Sequence, residues 1–398
     1  MGISPANTFI ILPNGECLGC GWNYYGQLGL GDNVDRNVFT RVGTENNWVQ
    51  VSCGSWHTLS IKSDGSLWAC GNNDYGQLGL GDNVGRNVLT RVGTENNWIQ
   101  VSCGYSHTFA IKSDGSLWGC GHNFYGQLGL GDSNIRSVFT RVGTENNWVQ
   151  VSCGEYYTFA IKSDGSLWAC GNNDYGQLGL GDNVGRNVLT RVGTENNWVQ
   201  VSCGSRHTLA IKSDGSLWAC GNNDYGQLGL GDSNIRSVFT RVGTENNWVQ
   251  VSCGSWHTLA IKSDGSLWAC GWNYYGQLGL GDNNNRNVFT RVGTENNCVQ
   301  VGCGYFHTLA IKSDGSLWAC GYNYYGQLGL GDNNNRNVFT QIRISPVQTI
   351  IGNKNSWSLG YLYYSPNQIR VGNKNSWVWA DSGEPMVLTE KTWRKYLT

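Results

Sequence analysis

An internal repeat constrains the fold of this chain more than any other feature. The eight residues YGQLGLGD begin at Tyr25 and recur unchanged from positions 75, 125, 175, 225, 275 and 325, which is a period of fifty residues. A period of this length is typical of propellers and solenoids, in which each repeat buries its apolar face against its neighbours. We therefore expect an array of similar units.

Each repeat contains four segments with the composition of β-strands. WVQVSCG is β-branched and ends in glycine, HTLAIK and SLWACG stand on either side of an Asp-Gly pair, and NVFTRVG follows the glycine-rich motif. Asp-Gly between alternating runs is a strong hairpin signal, and no segment shows a helical period. Four strands in each of seven repeats predict an all-β fold, a seven-bladed β-propeller, because radial repetition hides sheet edges.

The two ends of the chain suggest how the ring closes. The chain begins inside a repeat, at a hairpin-like segment with no inner strand before it, and VQTIIG at Val347–Gly352 resembles the missing strand. We expect this C-terminal strand to complete the first blade, which leaves no unpaired edge at the seam. Residues 1–352 are thus assigned to the propeller. Residues 353–398 form a C-terminal extension outside the repeat, in which a short amphipathic helix could begin at Pro385.

The repeat resembles the regulator of chromosome condensation family. The resemblance is carried by the set VSCG…HTLAI…DG.LWACG.N.YGQLGLGD, repeated at that family's spacing over residues 1–352. It implies the propeller fold. Members of the family include an exchange factor for a small GTPase, a light sensor and many adaptor domains, so the fold alone names no activity.

The constant motif is predicted to be structural. Gly26, Gly29 and Gly31 allow backbone conformations that are closed to other residues, and Gln27 and Asp32 are expected to hydrogen-bond the exposed backbone. A glycine-rich segment can also bind phosphate. However, no lysine follows at the Walker spacing and no helix follows the motif.

The positions that vary between repeats indicate a binding surface. They are the pair after VSCG, the pair flanking the fixed asparagine after the third strand, and the segment after GLGD. In an antiparallel blade all three follow the first or third strand and share one face, whereas the constant turns KSDGS and TENN lie on the other. Aromatic anchors among small polar groups are typical of binding surfaces. The candidate ligand- or partner-binding residues are Trp22, Tyr24, Trp56, His122, Phe124, Tyr156, Arg206, Trp256, Trp272, Tyr274, Tyr305, Phe306, Tyr322 and Tyr324.

The aromatic residues are expected to be contiguous. In the first, sixth and seventh blades both residues that flank the fixed asparagine are aromatic, and ring closure makes these blades neighbours. Random drift of loop residues after duplication is the alternative, but drift should not favour solvent-exposed aromatic residues or spare the opposite face. The expected arc consists of Trp22, Tyr24, Trp272, Tyr274, Tyr322 and Tyr324, with Trp256, Tyr305 and Phe306 nearby.

No catalytic residue, metal site or cofactor is predicted. His57 and its four copies are expected to make a structural hydrogen bond, because a catalytic residue is not normally copied into five blades. No Ser-His-Asp or Cys-His arrangement stands out from the repeat background. Most of the fifteen cysteines stand beside a glycine at a strand end, which favours buried free thiols in a reducing compartment.

Composition limits the classes of partner. The net charge of −1, without blocks of like charge, argues against an electrostatic grip on nucleic acid or on an anionic membrane. No apolar run near the N-terminus is long enough for a signal peptide or a membrane span, so cytoplasmic synthesis is expected. The sequence predicts a non-enzymatic recognition module that binds a protein or a glycan. The C-terminal extension offers a further point of attachment to a larger assembly.

The family resemblance leaves two alternatives. The first is a guanine-nucleotide exchange factor for a small GTPase; the family's exchange factor inserts a wedge from one blade, whereas all full repeats here have the same length. The second is a light sensor, because one family member stacks tryptophans in Gly-Trp-Arg-His-Thr motifs. The comparable segment GSRHT matches that arginine only at Arg206 and has serine at the tryptophan position.

Overall fold

The computed structural model contains seven four-stranded antiparallel blades, so the predicted seven-bladed propeller is confirmed. It describes residues 1–344 in full and, beyond them, the secondary structure of the strands Gln348–Asn353, Ser356–Ser365, Gln368–Asn373 and Ser376–Asp381. The chain divides into two compact units, Met1–Ile342 and Arg343–Thr398.

Within each blade the chain runs from an inner strand to an outer strand. The first blade consists of Gly2–Ile3, Asn7–Ile11, Cys17–Gly21 and Arg36–Arg41. The inner strands of the next six blades are Trp48–Cys53, Trp98–Cys103, Trp148–Cys153, Trp198–Cys203, Trp248–Cys253 and Cys298–Cys303. Their second strands are His57–Lys62, His107–Lys112, Tyr157–Lys162, His207–Lys212, His257–Lys262 and His307–Lys312. Their third strands are Leu67–Gly71, Leu117–Gly121, Leu167–Gly171, Leu217–Gly221, Leu267–Gly271 and Leu317–Gly321. Their outer strands are Arg86–Val92, Arg136–Arg141, Arg186–Arg191, Arg236–Arg241, Arg286–Val292 and Arg336–Ile342.

The core lies between neighbouring blades. Leu59 and Leu67 of the second blade are fully buried and pack in one cluster with Trp98 and Val101 of the third blade. Equivalent clusters join other neighbouring blades. Because each cluster draws side chains from two blades, no blade can bury its apolar surface alone.

The YGQLGLGD motif fixes the crossing from the third strand to the outer strand. The Gln27 side chain accepts a hydrogen bond from the Tyr25 backbone N–H at 2.9 Å, and Asp32 accepts one from the Val34 N–H at 3.0 Å. Gly26 has a φ of +76° and lies so close to the next blade that a Cβ there would come within 2.4 Å of the Asn87 Cα. The predicted structural role of the motif is confirmed.

The constant turns are held by side-chain contacts at the opposite ends of the strands. The Lys62 ammonium group lies 3.8 Å from the centre of the Trp68 ring and 2.5 Å from a carboxylate oxygen of Glu45. Ser66 donates its hydroxyl to Asp64 at 2.6 Å and accepts the Trp68 indole N–H at 2.9 Å. These side chains depend on one another for their hydrogen bonds, which explains why the turns hardly vary.

The ring closes through the same contacts that join the other blades. The bridge between Val38 and Leu330 joins the first blade to the seventh, as that between Val88 and Leu30 joins the second to the first. Thr8 Oγ1 lies 3.0 Å from His307 Nε2, which repeats the histidine–threonine contact made between other blades.

The inner strand of the first blade is Gly2–Ile3, so the expectation that Val347–Gly352 completes this blade was wrong. Gly2 pairs with Phe9 and Ile3 pairs with Thr8. Val347 lies outside the described residues, and Gln348–Asn353 pairs with Ser356–Ser365 in the separate antiparallel sheet of the second unit. Two residues are too short to show a strand pattern, so no cue in the sequence marks this pairing.

Gly302, which stands where the other repeats have serine, fits this N-terminal strand. A Cβ on Gly302 would come within 2.6 Å of the Ile3 Cδ1 atom, so a serine there would require the end of the Ile3 side chain to shift. The helix expected from Pro385 lies outside the described residues.

Candidate binding face

The connections after the inner and third strands lie on one face, as the strand directions predict. Trp56 follows an inner strand and Tyr25 follows a third strand, yet their ring centres are 5.8 Å apart. Trp256 and Trp272 stand in the same relation, with 5.1 Å between the ring centres. We call the face formed by these connections the variable face, and the opposite one the constant face.

The predicted aromatic pairs form three stacks on the variable face. In each stack the rings lie within 10 to 12° of parallel, with their centres 5.9 to 6.3 Å apart. The outer rings Tyr24, Tyr274 and Tyr324 are 64, 65 and 64% exposed, and the inner ring of each pair is half-buried. The three stacks are Trp22 on Tyr24, Trp272 on Tyr274, and Tyr322 on Tyr324.

Tyrosines of the constant motif join the stacks into one arc, and Phe306 makes a second link between Trp272 and Tyr322. Tyr275 lies 5.4 Å from Trp272 and 4.7 Å from Tyr322. Tyr325 lies 6.4 Å from Tyr322 and 5.7 Å from Trp22. These tyrosines were not among the predicted residues, because their identity in every repeat pointed to a structural role. Their position beside a variable residue was the signal that could have revealed them.

The other predicted aromatic residues extend the arc on both sides. At one end Trp256 and Phe306 pack together at 5.6 Å, and Phe306 lies 5.0 Å from Trp272. At the other end Trp56 lies 4.7 Å from Tyr105, which in turn is 5.2 Å from Tyr156. Aromatic contacts therefore run across most of the variable face.

His122 and Phe124 of the third blade have different environments. His122 is buried, and its Nδ1 lies 2.6 Å from the Gln127 side-chain nitrogen. Burial lowers the pKa of His122. Phe124 is 61% exposed, and its ring centre lies 4.5 Å from that of His122. Phe124 is thus the accessible member of this pair.

The fourth and fifth blades give the face a polar sector. Asn222 donates a hydrogen bond to Asp224 at 2.8 Å, and the equivalent pair of the fourth blade does the same. Arg206 is exposed, lies 4.7 Å from the centre of the Tyr175 ring and donates to its hydroxyl at 2.7 Å. Of the predicted residues, Tyr156 and Arg206 belong to these two blades.

An opening on the propeller axis forms the centre of the variable face. The opening has a volume of about 90 Å³, and the Cys-Gly ends of the inner strands line it. Tyr305 belongs to this lining and also contacts Phe306 of the arc, with 6.0 Å between the ring centres; its hydroxyl lies 3.0 Å from Ser55 Oγ. Glu155 also lines the opening, although it was not among the predicted residues.

The repeated histidines are structural, as predicted. His57 Nε2 lies 2.9 Å from Thr108 Oγ1 of the next blade, and His107 makes the same contact with Thr158 at 3.0 Å. Burial lowers the pKa of these rings to about 3, so they are neutral at pH 7. Where tyrosine replaces histidine, the Tyr157 hydroxyl donates to the His207 carbonyl at 2.6 Å.

The cysteines are free thiols, as predicted. Burial raises the pKa of Cys103 and Cys153 to about 12, which makes them inert. Within residues 1–344 no group of three or more His, Cys, Asp or Glu side chains could hold a metal ion. The part of the chain that the structure describes contains no helix long and apolar enough to cross a membrane.

The fold and the repeat place this chain in the class of seven-bladed propellers that have one repeat per blade; in this chain the variable positions lie on one face. The Regulator of chromosome condensation (RCC1) repeat matches this chain at residues 14–61, 64–111, 114–161, 164–211, 214–261, 264–311 and 314–384. The chain belongs to the RCC1 repeat family.

Several known proteins are similar to this chain. The crystal structure of human WBSCR16 is similar with a TM-score of 0.75 at 23% identity, over 84% of this chain and 95% of that one. The crystal structure of Prp20p from Saccharomyces cerevisiae, a protein described as binding Gsp1p and histones, has a TM-score of 0.75 at 20% identity, over 84% of this chain and 87% of that one. The ultraviolet-B receptor UVR8 of Arabidopsis thaliana is 40% identical over 57 residues, which are 14% of this chain and 13% of the receptor. The structural likenesses show a shared fold.

Proposed function

We propose that this chain is a non-enzymatic recognition module that binds a partner protein through the variable face. One observation carries the proposal: within residues 1–344, every aromatic side chain that is at least 36% exposed lies on that face. These side chains are Tyr24, Phe124, Tyr125, Tyr225, Tyr274 and Tyr324. Exposed aromatic groups concentrated on one face are characteristic of protein-binding surfaces.

The exposed rings are held ready for binding. Tyr274 is stacked on Trp272 and stands edge-on to Tyr275 at 5.0 Å, so its orientation is fixed before a partner arrives. A ring that is already ordered loses little conformational entropy on binding. By contrast, the tryptophans near the constant face are covered; Trp68, for example, lies under the Lys62 ammonium group.

The likeness to Prp20p supports a protein as the partner, because Prp20p is described as binding Gsp1p and histones. For this chain, protein binding is part of the proposal. A glycan ligand and nucleotide exchange on a small GTPase are alternative outcomes of the test below.

Replacing Tyr24, Tyr274 and Tyr324 together by serine is expected to weaken partner binding by about a hundredfold. Three exposed anchors of this kind contribute about 3 kcal/mol or more to a typical interface. The partner is first captured from lysate with the natural protein and identified, and its affinity for both proteins is then measured after purification.

A matched variant carries serine at Val49, Val149 and Val249, which are 55 to 59% exposed at the start of the inner strands on the constant face. This control should bind as the natural protein does. Equal losses in both variants, or a loss only in the control, would contradict the proposal.

Two further assays distinguish the alternative functions. Binding to the enzymatically deglycosylated partner tests for a glycan ligand, and nucleotide release from any GTPase that is captured tests for exchange activity.

A further inference from the structure

We infer that the axial opening of the variable face binds the cationic end of a lysine or arginine side chain presented by the partner. This inference rests on the proposed function and adds the chemical group that the partner places at the centre of the face.

The opening is large enough for such a group. A cavity needs about 10 to 15 Å³ to hold one water molecule, and the axial opening has about 90 Å³. An ammonium or guanidinium group with a few water molecules therefore fits. Each blade contributes one residue to the lining. In six blades it is the residue that follows the glycine after the inner strand, and in the first blade it is Pro5 at the equivalent position. The seven residues are Pro5, Ser55, Tyr105, Glu155, Ser205, Ser255 and Tyr305.

Glu155 gives the opening a negative charge without an ion-pair partner. The ion pairs among residues 1–344 all use other carboxylates. The nearby Arg206 instead stacks over Tyr175 at 4.7 Å and donates to its hydroxyl. Burial raises the pKa of the Glu155 carboxyl, and Arg206 opposes this shift only in part. A partly dehydrated, unpaired carboxylate favours a cation that can replace its lost water.

Two tyrosines, Tyr105 and Tyr305, line the opening together with Glu155, and a third, Tyr156, follows Glu155 in the sequence. Tyr105 and Tyr156 lie with their ring centres 5.2 Å apart, and the hydroxyl of Tyr305 is held 3.0 Å from Ser55 Oγ. Burial and then the charge of Glu155 raise the pKa of all three phenols. Phenol rings beside a carboxylate attract a cation through their negative faces as well as through charge.

The surroundings also favour a positive ligand. Asp74, Asp174 and Asp224 are exposed on the same face. The arginine that follows each motif is already paired, as Arg36 is with Asp32 at 2.5 Å. Arg206 is the basic group whose charge acts on Glu155, and its stacking on the Tyr175 ring holds it aside.

The test uses N-acetyl-lysine methylamide as the probe and its ε-acetylated form as the uncharged control. Binding to the full chain is followed by NMR, through the backbone amide signals of Gly154 and Glu155. The charged probe should bind and the uncharged one should not. Glu155→Gln should weaken binding about tenfold, whereas Asp224→Asn, which removes a carboxylate elsewhere on the face, should change it by less than about twofold.

The pH dependence gives a second readout. At each pH at which tryptophan fluorescence shows the protein to be folded, probe binding should weaken as the pH falls towards the raised pKa of Glu155, because the protonated carboxyl no longer attracts the ammonium group. Tyr105, Tyr156 and Tyr305 stay neutral over that range since their pKa values are raised.

Equal binding of both probes, no binding of either, or unchanged affinity in Glu155→Gln would overturn the inference. Because the probe is tested without the partner, these results would leave the proposed function standing. If instead the probe binds as expected but the serine variants of the face still bind the partner fully, the proposed function fails and the axial site remains.

Discussion

Lowering the pH from 7 to 5 is expected to remove much of the stability of the propeller. His57, His107, His207, His257 and His307 are fully buried, and burial lowers the pKa of each ring to about 3. In the unfolded chain these rings regain a pKa of about 6.5. Below that pH the unfolded state takes up protons that the folded state cannot, so the free energy of unfolding falls as the pH falls.

The expected slope is large because five rings act together. Five extra protons in the unfolded state give a slope of up to about 7 kcal/mol per pH unit between about pH 6 and pH 5. Urea unfolding, followed by tryptophan fluorescence at a series of pH values, measures this slope. The exposed aspartates with lowered pKa, such as Asp82, begin to reduce stability only below about pH 5, so the histidine slope is measured above that pH.

His257→Asn provides the control, because asparagine occupies the same repeated position at Asn7 in the first blade. This variant should lower the slope by about one fifth, that is, by one of the five protons. Stability that is unchanged between pH 7 and pH 5 would show that the rings can be protonated in the folded state, contrary to their burial.

The second large effect is expected at the first glycine of the YGQLGLGD motif. Gly226 has a φ of +80°, and a Cβ there would come within 2.4 Å of the Asn287 Cα in the next blade. Gly226→Ala therefore combines backbone strain with a collision against backbone, and we expect a loss of about 4 kcal/mol in the free energy of unfolding. Urea unfolding at neutral pH, where the buried histidines are uncharged in both states, measures the loss.

Gly243→Ala separates the two causes. Gly243 has a similar φ of +62°, but nothing lies within 4 Å of the position of its Cβ. This variant should lose only about 1 kcal/mol, since it carries the strain alone. Equal losses in the two variants would mean that blade-to-blade contact does not explain why the motif is constant.

The blades could be predicted because their signals are local. Strand alternation, the Asp-Gly hairpins and the repeat period are all visible in single stretches of sequence, and strand direction then assigns the variable loops to one face. The inner strand Gly2–Ile3 could not be predicted, because two residues carry no pattern. This strand is placed by its pairing with Thr8 and Phe9 and by the space beside Gly302. All three residues lie outside the strand.

The candidate site was predicted only in part for a similar reason. Comparison of the repeats identifies only residues that differ between them, and so it identified Trp272 and Tyr322. Tyr275 lies between these two rings but is the same in every blade, so the comparison could not identify it. The sequence shows that Glu155 differs from the residues at the same position in the other repeats. It does not show that the folded ring places this carboxylate in the axial opening that Tyr305 also lines. That arrangement exists only in the folded ring.

Photo-crosslinking from single positions tests whether the variable face is the binding surface. A benzophenone side chain is placed at Tyr274 on the variable face or at Val249 on the constant face of the same blade; these positions are 65 and 57% exposed. We expect the partner to be crosslinked from position 274 and not from position 249. Crosslinking from position 249 alone, or equally from both, would contradict the account.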